Sequence, residues 1–185
     1  DEWPAEAERR GLANNRTTAD ALPAYVAEKS IKLFEEFNVL TEVEARSRYE
    51  VKLEKYTKLM NIEVRTMKRM TRRTFLPAIN KYATLVANEI NEMKAACAGI
   101  DTSVQKQLLD AVGDGIKEVN DALNELHAAH LAIRDLTDEQ GKANKYAHEI
   151  VPMMERLRAG VDAMEIVVAH DLWPVPTYND ILFYC

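Results

Sequence analysis

The clearest pattern of hydrophobic positions lies in the second half of the chain, where apolar residues alternate steps of three and four. This is the spacing of a heptad seam on one face of a helix. Asp101 and Thr102 provide a helix start before it. The seam comprises Leu109, Val112, Ile116, Val119, Leu123, Leu126, His130 and Ile133. We expect one long helix here, with His130 partly buried and hydrogen-bonded in the seam.

A similar pattern begins at Thr41, which forms a capping box with Glu44. It includes Val43, Tyr49, Leu53, Tyr56, Met60, Met67 and Met70, and continues through Ile79, Tyr82, Val86, Ile90, Met93 and Cys97. Pro77 interrupts it without a Gly or Ser cluster. Because an internal proline removes one backbone hydrogen bond, we predict either a kink or two abutting helices, closed by Gly99.

A third seam starts at Thr137-Asp138-Glu139 and comprises Tyr146, Ile150, Met153, Leu157, Val161, Met164 and Val168. Pro152 predicts a second kink within it. Long helices joined by short turns normally pack antiparallel at a shallow angle. The fold class predicted is therefore all-α, with residues 41–169 forming an up-and-down bundle of kinked long helices.

The two ends of the chain have different patterns. Residues 1–16 indicate a linker with one or two helical turns, and we expect a helical domain over 17–185. Thr17 and Thr18 can cap a helix that has Pro23 near its first turn and runs to Asn38. The tail has two prolines in Trp173-Pro174-Val175-Pro176 and then apolar residues, so it is expected to be extended first and to dock afterwards.

Composition excludes several classes of protein. The chain has 185 residues, 47% hydrophobic and 29% charged, with 6 Gly and 6 Pro, which is typical of a globular domain. No apolar run approaches the roughly 20 residues that cross a bilayer, so we expect no membrane partner. Cys97 and Cys185 are expected to be free thiols in the cytoplasm. The net charge of −6 argues against nucleic acid as a partner.

Motifs for chemistry are weak. There is no Gly-rich phosphate loop and no nucleophile elbow. His127 and His130 are three residues apart on one helix, a spacing that could direct two imidazoles to one metal. The Glu-x-x-His pairs of di-iron bundles are missing, however. We predict no catalytic, cofactor-binding or metal-ligating residue, and keep a metal bundle around the two histidines as a weak alternative.

One charged feature stands out, because no acidic residue occurs between Glu63 and Glu89. The cations in this stretch are Arg65, Lys68, Arg69, Arg72, Arg73 and Lys81. Several of them share one face of a helix, which suits a solvated surface, an acidic surface of a neighbouring subunit, a phosphorylated ligand or nucleic acid.

The two ends carry a more specific signal. The segments Arg10-Gly11-Leu12, Arg16-Thr17-Thr18-Ala19-Asp20-Ala21-Leu22-Pro23 and the closing Asp171-Leu172-Trp173-Pro174-Val175-Pro176-Thr177-Tyr178-Asn179-Asp180-Ile181-Leu182-Phe183 resemble the C-terminal region of type III glutamine synthetases. Glu28-Lys29-Ser30-Ile31-Lys32-Leu33-Phe34 and Arg48-Tyr49-Glu50 are also similar to that family. Asn179 departs from the pattern, in which a small Gly stands at this position.

The resemblance implies a parent enzyme that joins ammonia to L-glutamate at the expense of ATP, with divalent Mg or Mn ions. It also implies that the catalytic residues lie upstream of this segment, and that the parent forms rings of identical subunits. We therefore expect a non-catalytic domain whose partners are its own catalytic domain and neighbouring subunits. The alternative is a freestanding helical adaptor that binds a partner helix or an acidic ligand.

The candidate interface combines the cations of the basic stretch with the aromatic residues of the tail. Its members are Arg65, Lys68, Arg69, Arg72, Arg73, Trp173, Tyr178 and Phe183.

Overall fold

The computed structural model describes residues 2–183, which are helical wherever they are regular and contain no strand. The helices are α1 (Glu2–Arg9), α2 (Thr18–Tyr25), α3 (Glu28–Glu36), α4 (Glu42–Met70), α5 (Leu76–Ala96), α6 (Ser103–Ile133), α7 (Glu139–Lys145), α8 (Val151–Val167) and α9 (Tyr178–Leu182). The predicted all-α class is confirmed. The chain forms two compact units: a first unit of residues 1–63 and 131–151, and a second unit of residues 64–130 and 152–185.

The prediction of a single helix from Thr18 to Asn38 is wrong, because the chain leaves the helical conformation at Ala27. Ala27 is extended, with φ −63° and ψ 147°. Pro23 lies in the second half of α2, where it cannot donate a backbone hydrogen bond, and α2 ends two residues later. The predicted Thr17 cap is confirmed, since its hydroxyl oxygen accepts from the Asp20 amide at 3.1 Å. Asn38 ends the segment in the left-handed region, at φ 52°.

Pro77 and Pro152 each follow a widened helical turn. A first π-turn, Thr71–Phe75, joins α4 to α5, and a second π-turn, Tyr146–Ile150, joins α7 to α8. Pro77 and Pro152 are the second residues of the helices that follow. In the first turn of a helix the backbone amide has no intrahelical partner, so a proline is tolerated at these positions. Of the two outcomes predicted for Pro77, the structure has abutting helices.

In the second unit, α6 and α8 pack antiparallel, as predicted. The α6 seam is buried at most of its positions, with Val112, Val119 and Leu126 completely inaccessible, and half-buried at Leu109 and Ile116. A Cβ on Gly115 would clash with the Met164 sulfur, so this glycine permits a close approach. Further along, Arg156 of α8 donates to both Glu118 and Glu125 of α6.

The seam predicted over α4 and α5 is confirmed at Leu53, Ile79, Val86 and Ile90, and is wrong at its two ends and at Met70, which is 38% exposed. Leu53 is buried, whereas Val43 is 78% exposed and Cys97 is also exposed. Val43 lies in the first turn of its helix, and Cys97 follows the last residue of α5. Terminal turns have fewer neighbours to pack against than central ones.

The first unit has a core of small and aromatic residues. Ala19, Leu53, Ala143 and Ala147 are buried together, with Leu22, Tyr49 and Tyr56 packed against them. Gln140 of α7 links this core to two other segments, because its side chain accepts from the Tyr49 hydroxyl at 2.6 Å and donates to the Ala19 carbonyl at 3.0 Å. The predicted start of this segment is confirmed by Asp138, whose carboxylate caps the amides of Gln140 and Gly141.

Candidate functional site

Four arginines form an exposed basic surface in the second unit. Arg65 and Arg69 lie on the last turns of α4, and Arg72 and Arg73 lie on the first π-turn. We call these four residues the basic surface. Within residues 2–183, none of them makes an ion pair with a carboxylate. The basic surface therefore has no ion-pair partner among the described residues.

Lys68 was expected on the same surface, and this prediction is wrong. The side chain is buried, with 9% of its surface exposed. Its ammonium contacts His130 Nδ1 at 2.9 Å and His127 Nδ1 at 3.2 Å. Lys68 lies one turn from both Arg65 and Arg72, but its position faces α6 instead of solvent. It supports the helix that carries the basic surface and does not belong to that surface.

The electrostatics of this cluster oppose protonation. Burial lowers the pKa of Lys68, and the neighbouring Arg72 and Arg65 lower it further. The pKa of His127 is also lowered, first by burial and then by the charges of Lys68 and Arg72. A neutral imidazole accepts a hydrogen bond from an ammonium, whereas an imidazolium cannot. The predicted burial and hydrogen bonding of His130 are confirmed here.

We expect the second unit to lose stability as the pH falls through the ordinary imidazole pKa of 6.5. The folded-state pKa of His127 lies below that value, so the unfolded chain binds more protons between the two pKa values, and acid favours unfolding. Urea unfolding on either side of pH 6.5 measures this loss. The His127→Gln variant should lose less stability over the same interval, and an equal loss would contradict the role of His127.

The tail docks on the same π-turn that carries Arg72 and Arg73. Trp173 follows a short 3-10 turn, His170–Leu172, and is 8% exposed. Its ring stacks on Phe75, the last residue of the π-turn, at 5.4 Å between centroids. Among the described residues, no acceptor lies within hydrogen-bond distance of the buried Trp173 Nε1. Trp173 therefore anchors the tail and presents little surface to a partner.

Beyond Trp173, the tail is exposed and apolar. Thr177 and Asp180 cap α9, with the Thr177 amide donating to the Asp180 carboxylate at 2.7 Å. These hydrogen bonds lower the pKa of Asp180. Ile181, Leu182 and Phe183 are 64%, 70% and 72% exposed. The side chains of Tyr178 and Asn179 lie outside the described residues, as does Cys185.

The two histidines considered for a metal site face a cation instead. Their Nδ1 atoms meet the Lys68 ammonium, whose charge repels a metal ion. Within the part of the chain that the structure describes, no group of three or more His, Cys, Asp or Glu side chains is arranged around a metal position.

The residue that sequence reasoning missed is Phe75, the docking position for Trp173. Its only signal was an aromatic side chain two residues before Pro77, and nothing in the pattern linked it to a tryptophan about one hundred residues later. No helix among residues 2–183 is both long and apolar enough to cross a bilayer.

Comparison with known proteins places the chain in a family. The model of the "Glutamine synthetase C-terminal domain" matches residues 1–94. A glutamine synthetase of Butyrivibrio fibrisolvens is 30% identical over 99% of this chain and 26% of its own length. A type-3 glutamine synthetase of Dictyostelium discoideum is 31% identical over 98% of the chain and 25% of its own length. One from Bacteroides fragilis is 26% identical, again over 99% of the chain and 26% of its own length.

The chain therefore spans about a quarter of the length of these relatives. The matched family model includes the Arg10-Gly11-Leu12 and Thr17–Pro23 segments, and the relatives extend the similarity to the tail. The resemblance inferred from the ends of the sequence is confirmed. This protein chain belongs to the glutamine synthetase C-terminal domain family.

Proposed function

We propose that the chain is the C-terminal domain of a cytoplasmic enzyme that ligates ammonia to L-glutamate, converting ATP to ADP and phosphate. The names of its relatives support this assignment. ATP and Mg or Mn would be bound by the part of the enzyme outside this chain. The described residues offer no cluster of metal ligands.

The role that we propose for the chain itself is subunit assembly. The observation that carries this proposal is the basic surface, where four exposed guanidinium groups occur within nine residues and have no carboxylate partner among the described residues. Arginines in this state are suited to an acidic surface on another protein, because their fork of donors matches carboxylates. Elsewhere in the chain Arg46, Arg156 and Arg158 have such partners internally.

The tail supports the same role. Trp173 holds it against the π-turn that carries Arg72 and Arg73, and Ile181, Leu182 and Phe183 are exposed beyond that anchor. A charged surface beside an exposed apolar segment has the composition of an interface with a hydrophobic core and a polar rim. The proposed partners are the enzyme's own catalytic domain and the neighbouring subunits of a homo-oligomer. The domain proposed extends over residues 17–185, with 1–16 as its linker.

Charge reversal of the basic surface tests this role. In the full-length protein, we expect Arg69→Glu, Arg72→Glu and Arg73→Glu together to reduce the oligomer mass, because like charges would then face each other across the interface. Sedimentation velocity measures the mass. An exposed rim charge mainly affects association, so raising the salt concentration should weaken the wild-type assembly as well.

A matched control has the same change of charge elsewhere in the second unit. Lys94, Lys106 and Lys117 are exposed and make no ion pair within the described residues, so their joint replacement by Glu should leave the mass unchanged. An unchanged mass for the arginine variant would contradict the assembly role of the basic surface. An equal loss in both variants would show that net charge, and not this surface, controls assembly.

A further inference from the structure

A polar cleft of about 260 Å³ lies in the first unit, between α4 and the segment that runs from the end of α6 through α7. Its inner wall is made of buried side chains: Thr57 is 7% exposed, Tyr146 5% and Ile133 3%. The Thr57 hydroxyl is held in place, since it contacts the Glu54 carbonyl at 3.1 Å and Glu139 Oε2 at 3.2 Å. The cleft therefore has a fixed, partly apolar floor.

The rim of the cleft carries charges of both signs. Glu54 pairs with Lys58 at 2.6 Å, and Glu139 pairs with Lys142 at 2.6 Å. The Glu54–Lys58 pair is largely exposed, so it contributes little and opens readily to a competing ligand. The Glu139–Lys142 pair is partly buried, with the Lys142 side chain 23% exposed. The cleft thus presents carboxylate and ammonium groups side by side.

Arg134 is the fifth charged group of the cleft and differs from the others. It follows the last residue of α6 and makes no ion pair with any described carboxylate. Its guanidinium offers a planar fork of N–H donors, which matches the two oxygens of a carboxylate. Among the described residues, Arg134 is therefore a cleft cation without a carboxylate partner, and its geometry suits a carboxylate group.

The mixture of charges selects the ligand class. A phosphate dianion placed beside Arg134 would also meet Glu54 and Glu139, which repel it. A divalent cation would meet Lys58, Lys142 and Arg134. A zwitterion avoids both penalties, because its negative end can bind the arginine while its positive end approaches a glutamate.

We propose that this cleft binds a free α-amino acid, with Arg134 donating to its carboxylate and Glu54 or Glu139 accepting from its ammonium group. The side chain of the ligand would lie on the floor formed by Thr57, Tyr146 and Ile133. The proposal is independent of the assembly role, since it uses none of the residues of the basic surface. In the parent enzyme such a site would bind an amino acid outside the catalytic region.

Hydrogen exchange followed by mass spectrometry tests the site in the full-length protein, because it locates binding along the chain. The probes are L-alanine, L-glutamine and L-glutamate, added separately. At least one of these amino acids should slow the exchange of backbone amide hydrogens in residues 54–61 and 133–146. N-acetyl and amide derivatives of that amino acid, each lacking one of the two charges, should give no protection at the same concentration.

Two variants locate the ligand groups. Arg134→Gln should weaken binding roughly 10- to 100-fold, the range expected for a lost hydrogen-bonded charge. The control Arg48→Gln alters an exposed arginine of α4 that does not line the cleft, and should bind normally. Lack of protection by all three amino acids would overturn the proposal. So would equal protection by the N-acetyl derivative, which identifies an anion site, or undiminished binding to Arg134→Gln.

Discussion

Leu126→Ala should lower the free energy of unfolding by about 2–5 kcal/mol, the range measured for leucines removed from close-packed cores. Leu126 lies in the α6 seam and is completely inaccessible to solvent. The substitution removes buried apolar surface and leaves a cavity. Since α6 is held to α8 by the close Gly115–Met164 approach, it cannot easily move inward to fill that cavity. Urea unfolding followed by circular dichroism measures the loss.

The matched control is Leu85→Ala in the same unit. Leu85 is 42% exposed, so the same change of atoms should have a much smaller effect, on the order of 1 kcal/mol. If the two variants were equally stable, the burial of the α6 seam would be contradicted. If Leu126→Ala changed the slope of the unfolding free energy against urea concentration as well as the midpoint of unfolding, the substitution would also have altered the compactness of the folded or the unfolded state.

Trp173→Ala should lower the free energy of unfolding by a similar amount, about 3–5 kcal/mol, because a large aromatic side chain is removed from a buried site. The stacking on Phe75 is lost too, and with it the anchor that holds the tail against the first π-turn. Protease cleavage of the tail should therefore become faster. Mass spectrometry of the fragments and thermal unfolding of the same variant measure the two effects.

Trp173→Phe separates packing from the indole N–H. Because Nε1 is buried without an acceptor among the described residues, losing that N–H should offset part of the lost packing, and this variant should be markedly more stable than Trp173→Ala. Trp3→Ala is the control, since Trp3 is 73% exposed and its loss should change stability by roughly 0.5 kcal/mol or less. Slow tail cleavage in Trp173→Ala would contradict the anchoring role.

Periodicity predicted the parts of the fold that depend on local sequence. The α6 seam, the Thr17 cap and the Asp138 cap are signals that a few neighbouring residues determine, and each is confirmed. The family resemblance lay at the two ends of the sequence, where short motifs are distinctive. These signals do not depend on which distant segments meet.

Lys68 and Trp173 could not be placed in the same way. Lys68 shares a helix and a residue type with an exposed basic stretch, and only the approach of His127 and His130 from α6 explains its burial. Trp173 is buried because Phe75 lies opposite it. Contacts between residues far apart in sequence depend on packing, which periodicity on a single helix does not report.

The π-turns show a third limit. Pro77 and Pro152 correctly predicted an interruption, but a proline alone is compatible with a kink, a break or a widened turn. The structure has a π-turn before both, and each proline is the second residue of the helix that follows. The polar cleft was missed for a related reason: its charges come from α4 and from residues 134–142, and no single stretch contains them.

The most direct test of the proposed assembly role is the mass of the full-length enzyme with and without residues 17–185. Sedimentation velocity at the same protein concentration compares the two. We predict that the shortened protein has a smaller oligomer mass, while its remaining chain still shows the circular dichroism of a folded protein. A shortened protein that is folded and keeps the full oligomer mass would contradict the assembly role of this domain.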